Sequence, residues 1–510
     1  MKKPLFAMLI LAAFALLGVN EAWAQQAPFM SELNARTEEM NRLAAEKRRA
    51  GVNVAALDAI RLRTEDALKR GNFPAVLEIQ AEGLALLRGK PWDETQKFVA
   101  SLTLETDRLV IEPNQDLQVS LARMYPAMGD KTMSAPPTVT LEIIPASAEA
   151  GDDPQSMKPV VIARRLAIAD TVTNAGRRVT LADGAYWVVA TVETGSQKIA
   201  EIRKPVYAIS DFSGELARLS SMVASIKSSN DSKVKRVAAL VTTPDYQLQR
   251  LAPLTKSRGE YTINPFSELD RIEAVLEGLA KGENLLANER GELERAYLAA
   301  DGKLVPYRVY VPLSYDGSAA RPLAVLLHGA LGNERSYFSG LYDPTIIKGE
   351  AERRAYIFAA PNGRGDYVKS GQEDVLEVIK AVTRDYRVDA SRIYLTGHSM
   401  GGFGTWWIAS SKPELFAAIA PVSGAGPAQA DLLSAMVAKL KGIPALVIHG
   451  ARDQIVPPDR ARTLVAAAQK AGVVVNYVEV PEADHMTIVA GTFPAVMDFF
   501  EKNSKQAGAK

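Results

Sequence analysis

The sequence predicts an α/β fold for the C-terminal part of the chain, with a mostly parallel sheet covered by helices on both faces. Two observations indicate this. Short apolar runs alternate with helical patterns from about residue 294 onward, and repeated strand-helix units of this kind form parallel sheets. One of these runs passes through a turn of small residues around Ser399 directly into a helical pattern. Upstream of residue 294, the patterns predict helical segments and a small β-sandwich.

Length and composition limit the classes of protein that fit. A chain of 510 residues suggests roughly three domains, and 47% hydrophobic residues supply apolar cores. Sixty basic residues nearly balance 59 acidic ones, so no overall field favours nucleic acid or an anionic membrane surface. The chain has no cysteine, which excludes disulfides, thiolate metal sites and a cysteine nucleophile. Neutral substrates fit this composition better than charged polymers.

The first 24 residues have the pattern of a signal peptide. Lys2 and Lys3 precede an apolar run over residues 5–19, and Ala22 and Ala24 are small residues at the two positions that a signal peptidase reads. We expect cleavage before Gln25 and a periplasmic or secreted mature chain. The apolar run is shorter than the ~20 residues of a spanning helix, so no stable membrane anchor is expected after cleavage.

Residues 25–97 are predicted to be a helical region. Apolar residues recur at helical spacing between charged ones, and glycines at 51 and 71 interrupt the pattern. Two or three amphipathic helices fit this stretch.

Residues 98–210 are predicted to form a small β-sandwich of the immunoglobulin-like type. Short alternating or β-branched runs are separated by turn residues, which is typical of such sandwiches. The predicted strands contain residues 110–111, 117–121, 139–143, 160–162, 179–181, 186–192 and 206–208. This segment has no catalytic constellation.

Residues 211–293 return to a helical pattern and are interpreted as a helical connector. Leu216, Leu219 and Ile226 lie at helical spacing in one segment, and Ile272 and Leu276 do so in another. A scaffold that covers one face of the last domain is the alternative reading.

Residues 294–505 are predicted to be the catalytic domain. Asp301-Gly302 between two β-prone runs indicates an opening hairpin. Strands and helices then alternate. Predicted strands are 323–327, 355–360, 417–422, 443–449 and 473–480, together with the run before Ser399, and predicted helices are 372–385, 458–471 and 492–500. An antiparallel hairpin followed by such units predicts an α/β-hydrolase.

Ser399 is the candidate nucleophile. It occupies the centre of Gly397-His398-Ser399-Met400-Gly401, a G-x-S-x-G pattern between a predicted strand and a predicted helix. In a nucleophile elbow the serine takes a strained backbone conformation that pushes its hydroxyl out of the sheet. We expect the two glycines because a side chain at either position would collide with neighbouring backbone.

His485 and Asp453 are the candidate base and acid. His485 follows the last predicted strand and Asp453 follows the one before it, in the chain order nucleophile, acid, base. Asp484 is the rival acid. We favour Asp453 because it lies on a separate strand end, whereas a residue next to His485 in sequence usually points elsewhere.

The remaining site predictions concern the oxyanion and the other histidines. Backbone amides of Met400 and Ala330 are expected to bind the negative charge that develops in ester cleavage, with Leu331 as the alternative to Ala330. His328 and His398 are predicted to line the site and bind substrate, and His449 to be structural. Zinc-protease, EF-hand, Walker and dinucleotide motifs are absent from the sequence, so neither a metal nor an organic cofactor is expected.

Four segments carry a resemblance to a known family, namely 328–332 (HGALG), 389–402 (DASRIYLTGHSMGG), 448–453 (IHGARD) and Asp484-His485. Together they resemble the prolyl-oligopeptidase-like α/β-hydrolases, in particular the secreted esterases and predicted peptidases that include feruloyl esterases and polyhydroxybutyrate depolymerase-like proteins. Some members of this group carry an N-terminal immunoglobulin-like domain. The β-propeller of true prolyl oligopeptidases has no counterpart here.

The resemblance and the motifs together predict an exported serine carboxylesterase that acts through an acyl-enzyme on a small-molecule or polymer-linked ester. One alternative is a serine peptidase of oligopeptides. Another is a binding or scaffold protein with an idle hydrolase domain. The acyl group, the alcohol group and the oligomeric state are left open by the sequence, and a nucleic-acid partner is not expected.

Overall fold

A computed structural model describes residues 32–505, except residues 34, 38, 41, 45, 48–49, 53–55, 127–134, 147–158, 170–171, 259–262, 331 and 340–341. The predicted signal peptide, residues 1–24, lies outside the described residues. The chain divides into two compact units between Gly282 and Glu283. The boundary predicted at residue 294 falls inside a strand of the second unit, which runs from Gly291 to Leu298.

The first unit begins with helices, as the sequence predicts for residues 25–97. Asn72 and Asp93 cap the second and third of these helices, each accepting a hydrogen bond from a backbone amide of the first turn. Val76 and Leu77 are fully buried between them. The helices are α1 (Ala56–Lys69), α2 (Phe73–Leu87) and α3 (Glu94–Ser101).

Two sheets follow and enclose one apolar core, so the predicted β-sandwich is present. One sheet has the order β1-β3-β6 and the other β2-β8-β7-β4-β5. All neighbours are antiparallel except β2 and β8, which are parallel. The strands are β1 (Leu102–Thr106), β2 (Val110–Ile111), β3 (Asp116–Arg123), β4 (Pro137–Pro145), β5 (Val160–Ala167), β6 (Val172–Arg178), β7 (Gly184–Thr194) and β8 (Gln197–Ala208).

One predicted strand of the sandwich is wrong. Residues 179–181 are not a strand, and β6 lies immediately before them. This strand pairs only with β3, and most of its side chains are exposed or half-buried. An edge strand of this kind needs little apolar alternation, which is why the pattern favoured the neighbouring residues. Strand β1 was not predicted, because it follows α3 without a turn signal.

Four helices complete the first unit and correspond to most of the predicted connector. Apolar residues on α4 and α7 are buried between the helices, among them Leu219, Val223, Ile272 and Leu279. The helices are α4 (Phe212–Ser228), α5 (Ser232–Val237), α6 (Thr242–Leu251) and α7 (Pro265–Ala280).

The second unit contains an eight-stranded sheet with the order β16-β15-β14-β13-β11-β12-β10-β9. Strand β10 is antiparallel to both of its neighbours, and the remaining pairs are parallel. The strands are β9 (Gly291–Leu298), β10 (Leu304–Val311), β11 (Arg321–Leu327), β12 (Ile357–Pro361), β13 (Val388–His398), β14 (Ala418–Val422), β15 (Ala445–Gly450) and β16 (Val475–Val480). This arrangement confirms the predicted α/β-hydrolase fold.

Six helices cover the two faces of this sheet. Alternate residues of β11 point to opposite sides, with Val325 in the core under one layer of helices and Leu326 in the core under the other. The first core packs against α9 to α12, and the second against α8 and α13. The helices are α8 (Pro344–Arg354), α9 (Ser370–Asp385), α10 (Met400–Ser411), α11 (Ala430–Ala438), α12 (Pro458–Lys470) and α13 (Ile488–Glu501).

Because helices cover both faces, the loops at the carboxyl ends of the parallel strands are the part of the sheet where a site can open. Over the described parts of both units, every helix is too short or too polar to cross a membrane.

Candidate active site

Ser399 lies between β13 and α10 in an unusual backbone conformation, with φ of 57° and ψ of −115°. A positive φ strains a residue other than glycine and persists only where the surroundings enforce it. Here the amide of Ser399 donates to the carbonyl of Val422 at 2.9 Å, and its carbonyl accepts from the amide of Phe403 at 3.0 Å. These bonds hold the half-buried serine at the carboxyl edge of the sheet.

The glycines on either side of Ser399 are required by close backbone contacts. A Cβ atom at Gly397 would lie 2.4 Å from the carbonyl oxygen of Gly401, and one at Gly401 would lie 2.1 Å from the carbonyl oxygen of Leu327. Both distances are shorter than any normal contact. The steric reason predicted for these two glycines is therefore confirmed.

The structure brings Ser399, His485 and Asp453 together from three different strand ends. The hydroxyl Oγ of Ser399 lies 2.9 Å from Nε2 of His485. Nδ1 of the same ring lies 2.7 Å from Oδ2 of Asp453. With the imidazole proton on Nδ1, the ring donates to the carboxylate and Nε2 can accept the hydroxyl proton of the serine.

Four donors converge on the carboxylate of Asp453. Its Oδ1 accepts from the amides of Ile455 at 3.0 Å and Val456 at 2.8 Å, while Oδ2 faces His485 and also lies 3.3 Å from Nε2 of His449. Burial alone would raise the pKa of this carboxyl. The hydrogen bonds from His449, His485 and the Val456 amide outweigh burial and lower the pKa below its ordinary value. Asp453 is therefore ionised.

His449, predicted to be structural, is buried at the end of β15 and contacts the candidate acid. The ring is fully buried, and its Nε2 lies 2.8 Å from the carbonyl oxygen of Val456 in addition to its contact with Asp453. A carbonyl only accepts, so Nε2 carries the proton. The position four residues before Asp453 on the end of β15 was the available sequence signal for this contact.

Asp484, the rival acid, has one carboxylate oxygen engaged in the turn before α13. Its Oδ1 accepts from the amides of Met486 at 3.0 Å and Thr487 at 2.9 Å, and from the Thr487 hydroxyl at 3.0 Å. Nδ1 of His485 is occupied by Asp453 instead. The geometry agrees with the preference for Asp453 over Asp484.

The two predicted oxyanion donors border the nucleophile. Met400 is the first residue of α10, where an amide has no acceptor within its own helix and the helix dipole is positive. Ala330 follows Gly329, and a Cβ atom at Gly329 would lie 3.4 Å from Cβ of Ser399. Leu331, the alternative donor, lies outside the described residues. Oxyanion binding by these amides stays a prediction.

The peptide that contains the Ala330 amide is fixed on its other side. The carbonyl oxygen of Gly329 accepts from the amide of Gly332 at 3.1 Å and lies 2.8 Å from Nδ1 of His328. In a trans peptide the carbonyl and the following N–H point in opposite directions. These contacts therefore direct the Ala330 N–H away from the loop interior.

The prediction that His328 and His398 bind substrate is contradicted by the structure. Both side chains are buried, at 3% and 2% exposure. Nε2 of His328 lies 2.7 Å from the carbonyl oxygen of Asn362, and Nε2 of His398 lies 2.7 Å from that of His485. Their other ring nitrogens also contact protein groups, so neither ring has a nitrogen free for substrate.

Half-buried apolar side chains extend from the nucleophile along α10. Met400, Phe403 and Trp407 recur at helical spacing, and the Phe403 and Trp407 rings stack with centroids 6.0 Å apart. The indole N–H of Trp407 donates to Gln372 at 3.1 Å, which fixes the ring. This stripe offers an apolar surface beside Ser399. Trp406, by contrast, is fully buried.

In the described parts of both units, no group of three or more His, Asp or Glu side chains is arranged so that it could hold a metal ion.

Residues 358–433, which include Ser399, match the prolyl oligopeptidase family. The chain is 26% identical over 232 residues to an uncharacterized peptidase, YuxL, from Bacillus subtilis, across 38% of this chain and 35% of that protein. It is 31% identical over 159 residues to a probable feruloyl esterase C from Aspergillus terreus, across 30% of this chain and 56% of the esterase. The crystal structure of a thermostable esterase aligns at 15% identity and a TM-score of 0.38, over 79% of this chain and all of that one.

The chain thus spans about a third to a half of the length of these curated relatives. The family match and the relatives support a prolyl-oligopeptidase-like α/β-hydrolase.

Proposed function

We propose that this protein is a serine hydrolase that cleaves carboxylic esters through an acyl-enzyme intermediate. The observation that carries the proposal is the continuous hydrogen-bonded path from Asp453 through His485 to the hydroxyl of Ser399, at 2.7 and 2.9 Å. This is the arrangement that activates a serine nucleophile. The feruloyl esterase relatives favour an ester as substrate.

The first half of the reaction acylates the enzyme. As Ser399 Oγ attacks the ester carbonyl carbon, its proton passes to Nε2 of His485, and the carbonyl oxygen becomes an oxyanion facing the amides of Met400 and Ala330. The ionised Asp453 stabilises the imidazolium that forms. Collapse of the tetrahedral intermediate breaks the bond to the alcohol oxygen, which leaves with the proton from His485.

The second half releases the acid. Nε2 of His485 takes a proton from water, whose oxygen attacks the acyl carbon and forms a second tetrahedral intermediate in the same oxyanion site. Collapse breaks the bond to Ser399 Oγ, which regains its proton from His485. The products are one carboxylic acid and one alcohol, and the enzyme returns to its starting state.

A serine peptidase of oligopeptides is the second candidate. The family match and the name of the Bacillus subtilis relative favour it. The two functions share the same site and differ in the leaving group, which is an amine in peptide cleavage.

The decisive experiment combines labelling with a substrate panel. A fluorophosphonate probe should label the wild-type chain at Ser399 and fail to label Ser399→Ala. Hydrolysis of nitrophenyl esters, feruloyl esters and peptide amides should then be compared. Turnover of esters well above that of amides is expected, whereas faster amide cleavage would favour the peptidase. A folded wild-type protein that neither reacts with the probe nor turns over any ester would indicate an idle domain.

We also propose that the chain is exported and that the sandwich is immunoglobulin-like. Export is supported by the basic and apolar pattern of residues 1–24. The sandwich topology is supported by the chain crossing repeatedly between the two sheets. N-terminal sequencing of the mature chain should begin at Gln25, and an unprocessed Met1 in exported protein would contradict the cleavage site.

A further inference from the structure

A buried chain of hydrogen bonds connects the loop after β11 with the loop that carries His485. The amide of Gly329 lies 3.2 Å from the hydroxyl oxygen of Tyr342, which lies 3.0 Å from Nδ1 of His398. Nε2 of His398 lies 2.7 Å from the carbonyl oxygen of His485. Tyr342 and both histidines are at most 4% exposed. These hydrogen bonds are therefore buried and out of reach of substrate.

Only one assignment of protons satisfies all three hydrogen bonds. The carbonyl of His485 can only accept, so Nε2 of His398 carries the ring proton. A neutral ring then has a lone pair on Nδ1, which accepts the hydroxyl proton of Tyr342. The Tyr342 oxygen in turn accepts from the Gly329 amide. Each group fills the role that the next one requires.

The pKa shifts of the two side chains agree with this assignment. Burial lowers the pKa of His398 to about 3, with a further contribution from the neighbouring His485. Burial also raises the pKa of Tyr342. The centroids of the His398 and His485 rings are 4.7 Å apart, so a neutral His398 does not repel the imidazolium that His485 forms during the reaction.

The packing around the chain leaves little room for movement. The Tyr342 ring meets the His398 ring edge to face with centroids 5.4 Å apart, and its centroid lies 4.7 Å from that of the Tyr337 ring. A Cβ atom at Gly329 would lie 3.3 Å from Nδ1 of His398 and 3.4 Å from Cβ of Ser399. The loop after β11 therefore rests directly on the residue before the nucleophile.

We propose that Tyr342 and His398 are positioning residues that set the distance between the oxyanion amide of Ala330 and the catalytic His485. They act through the backbone, since Tyr342 holds the peptide before Gly329 and His398 holds the carbonyl of His485. Neither contacts the reacting atoms. The inference rests on the proposed function, because these hydrogen bonds have a role only in a reaction at Ser399.

The test compares two tyrosines of the same loop. Tyr342→Phe removes the hydroxyl that links Gly329 to His398. Tyr337→Phe removes an equally buried hydroxyl, which donates to the carbonyl of Leu327 at 3.3 Å. This hydroxyl is not one of the groups that link Gly329 to His485. We expect Tyr342→Phe to lower kcat about 10- to 100-fold with KM changed less than about threefold. Tyr337→Phe should lower kcat less than about threefold.

A transition-state analogue provides a readout that general destabilisation does not alter. Ser399 adds to the carbonyl carbon of a trifluoromethyl ketone and forms a hemiketal oxyanion. The inhibition constant of this ketone therefore reports how well the oxyanion is bound. In Tyr342→Phe this constant should rise by the same factor as kcat/KM falls. An unchanged inhibition constant, or equal losses of kcat in the two tyrosine variants, would overturn the proposal.

His398 variants keep the proposal testable if Tyr342→Phe does not fold. His398→Gln retains an N–H near the position of Nε2 for the His485 carbonyl, and His398→Leu retains none. The glutamine variant should keep more of kcat than the leucine variant, and equal activities would count against the proposal. Failure of the proposed function looks different, because the wild-type protein would then itself lack turnover and labelling at Ser399.

Discussion

All four histidines of the chain lie at the carboxyl edge of one sheet, yet they differ in what their nitrogens contact. His328, His398 and His449 each have Nε2 against a backbone carbonyl oxygen, whereas Nε2 of His485 faces the serine hydroxyl. Only His485 is therefore placed to exchange a proton with a substrate. The other three hold the surrounding loops and the acid in position.

Asp453→Asn tests the acid. An asparagine cannot hold His485 in the correct tautomer, so kcat should fall by about 10³- to 10⁴-fold while the fold is retained. Asp484→Asn, in the adjacent turn, should lower kcat less than about tenfold, because Asp484 supports the turn before α13. Steady-state kinetics of both variants with one nitrophenyl ester give the ranking, and the reverse order would move the acid to Asp484.

His398 should make the protein sensitive to mild acid. Its folded-state pKa of about 3 lies below the unfolded value of ~6.5, so the unfolded state binds the extra proton between these values. Stability then falls as pH drops below ~6.5, by about 2 kcal/mol at pH 5. Urea unfolding at pH 7 and pH 5 should show this loss for the wild type and a smaller one for His398→Gln. Equal losses would mean that His398 titrates normally.

The G-x-S-x-G pattern predicted the serine, and the order of strand ends along the chain predicted the acid and the base, because strand ends meet at one edge. The roles of Tyr342 and His398 could not be predicted in this way. Tyr342 is 56 residues before His398, in a loop without a motif, and only the path of that loop brings the two together. Because this contact occupies Nδ1 of His398, it also argues against the prediction that His398 binds substrate.

Among the elements, strands buried on both faces were predicted best, and helix α8 was missed. Strands β11, β12, β14 and β15 are mostly continuous apolar runs, which give a strong signal. The buried residues of helix α8 are Ile347, Glu350 and Ala351, and half of its remaining residues are charged. Its Arg354 pairs with Asp498 and Glu501 of α13, and these partners lie far away in sequence.

Helix α9 is attached to the sheet by a buried carboxylate. Asp374 is fully buried, pairs with the Arg364 guanidinium at 2.8 Å, and accepts a hydrogen bond from the Tyr297 hydroxyl of β9. Asp374→Ala should lower the free energy of unfolding by about 3 kcal/mol or more, since it leaves buried partners unpaired. The control is Glu377→Gln, which breaks the exposed ion pair with Lys380 on the same helix. This variant should lose less than about 0.5 kcal/mol of the free energy of unfolding. Denaturant titrations of the two variants should differ accordingly.

At the scale of the whole molecule, every residue of the candidate site belongs to the second unit. A chain that starts at Glu283 keeps β9 whole, whereas one that starts at the predicted boundary of 294 would cut this strand and remove Glu289, the ion-pair partner of the buried Arg295. We expect the chain from 283 to hydrolyse a short-chain nitrophenyl ester with kcat/KM within about threefold of the full mature chain.

The control for this comparison is solubility, since aggregation would lower the measured rate without any change at the site. Light scattering should therefore show a monodisperse sample before rates are compared. A folded, monodisperse second unit without turnover would show that the first unit contributes to the site.

The strained backbone at Ser399 lowers the stability of the fold at the residue that the proposed reaction requires. Glycine adopts a φ of 57° without the steric cost that serine bears, so Ser399→Gly should exceed Ser399→Ala in free energy of unfolding by about 1 kcal/mol, although both lack the nucleophile. Thermal unfolding of the two inactive proteins measures the difference. For folding alone, glycine would therefore be the better residue at this position. The proposed hydrolase activity gives a reason for a serine here that stability does not.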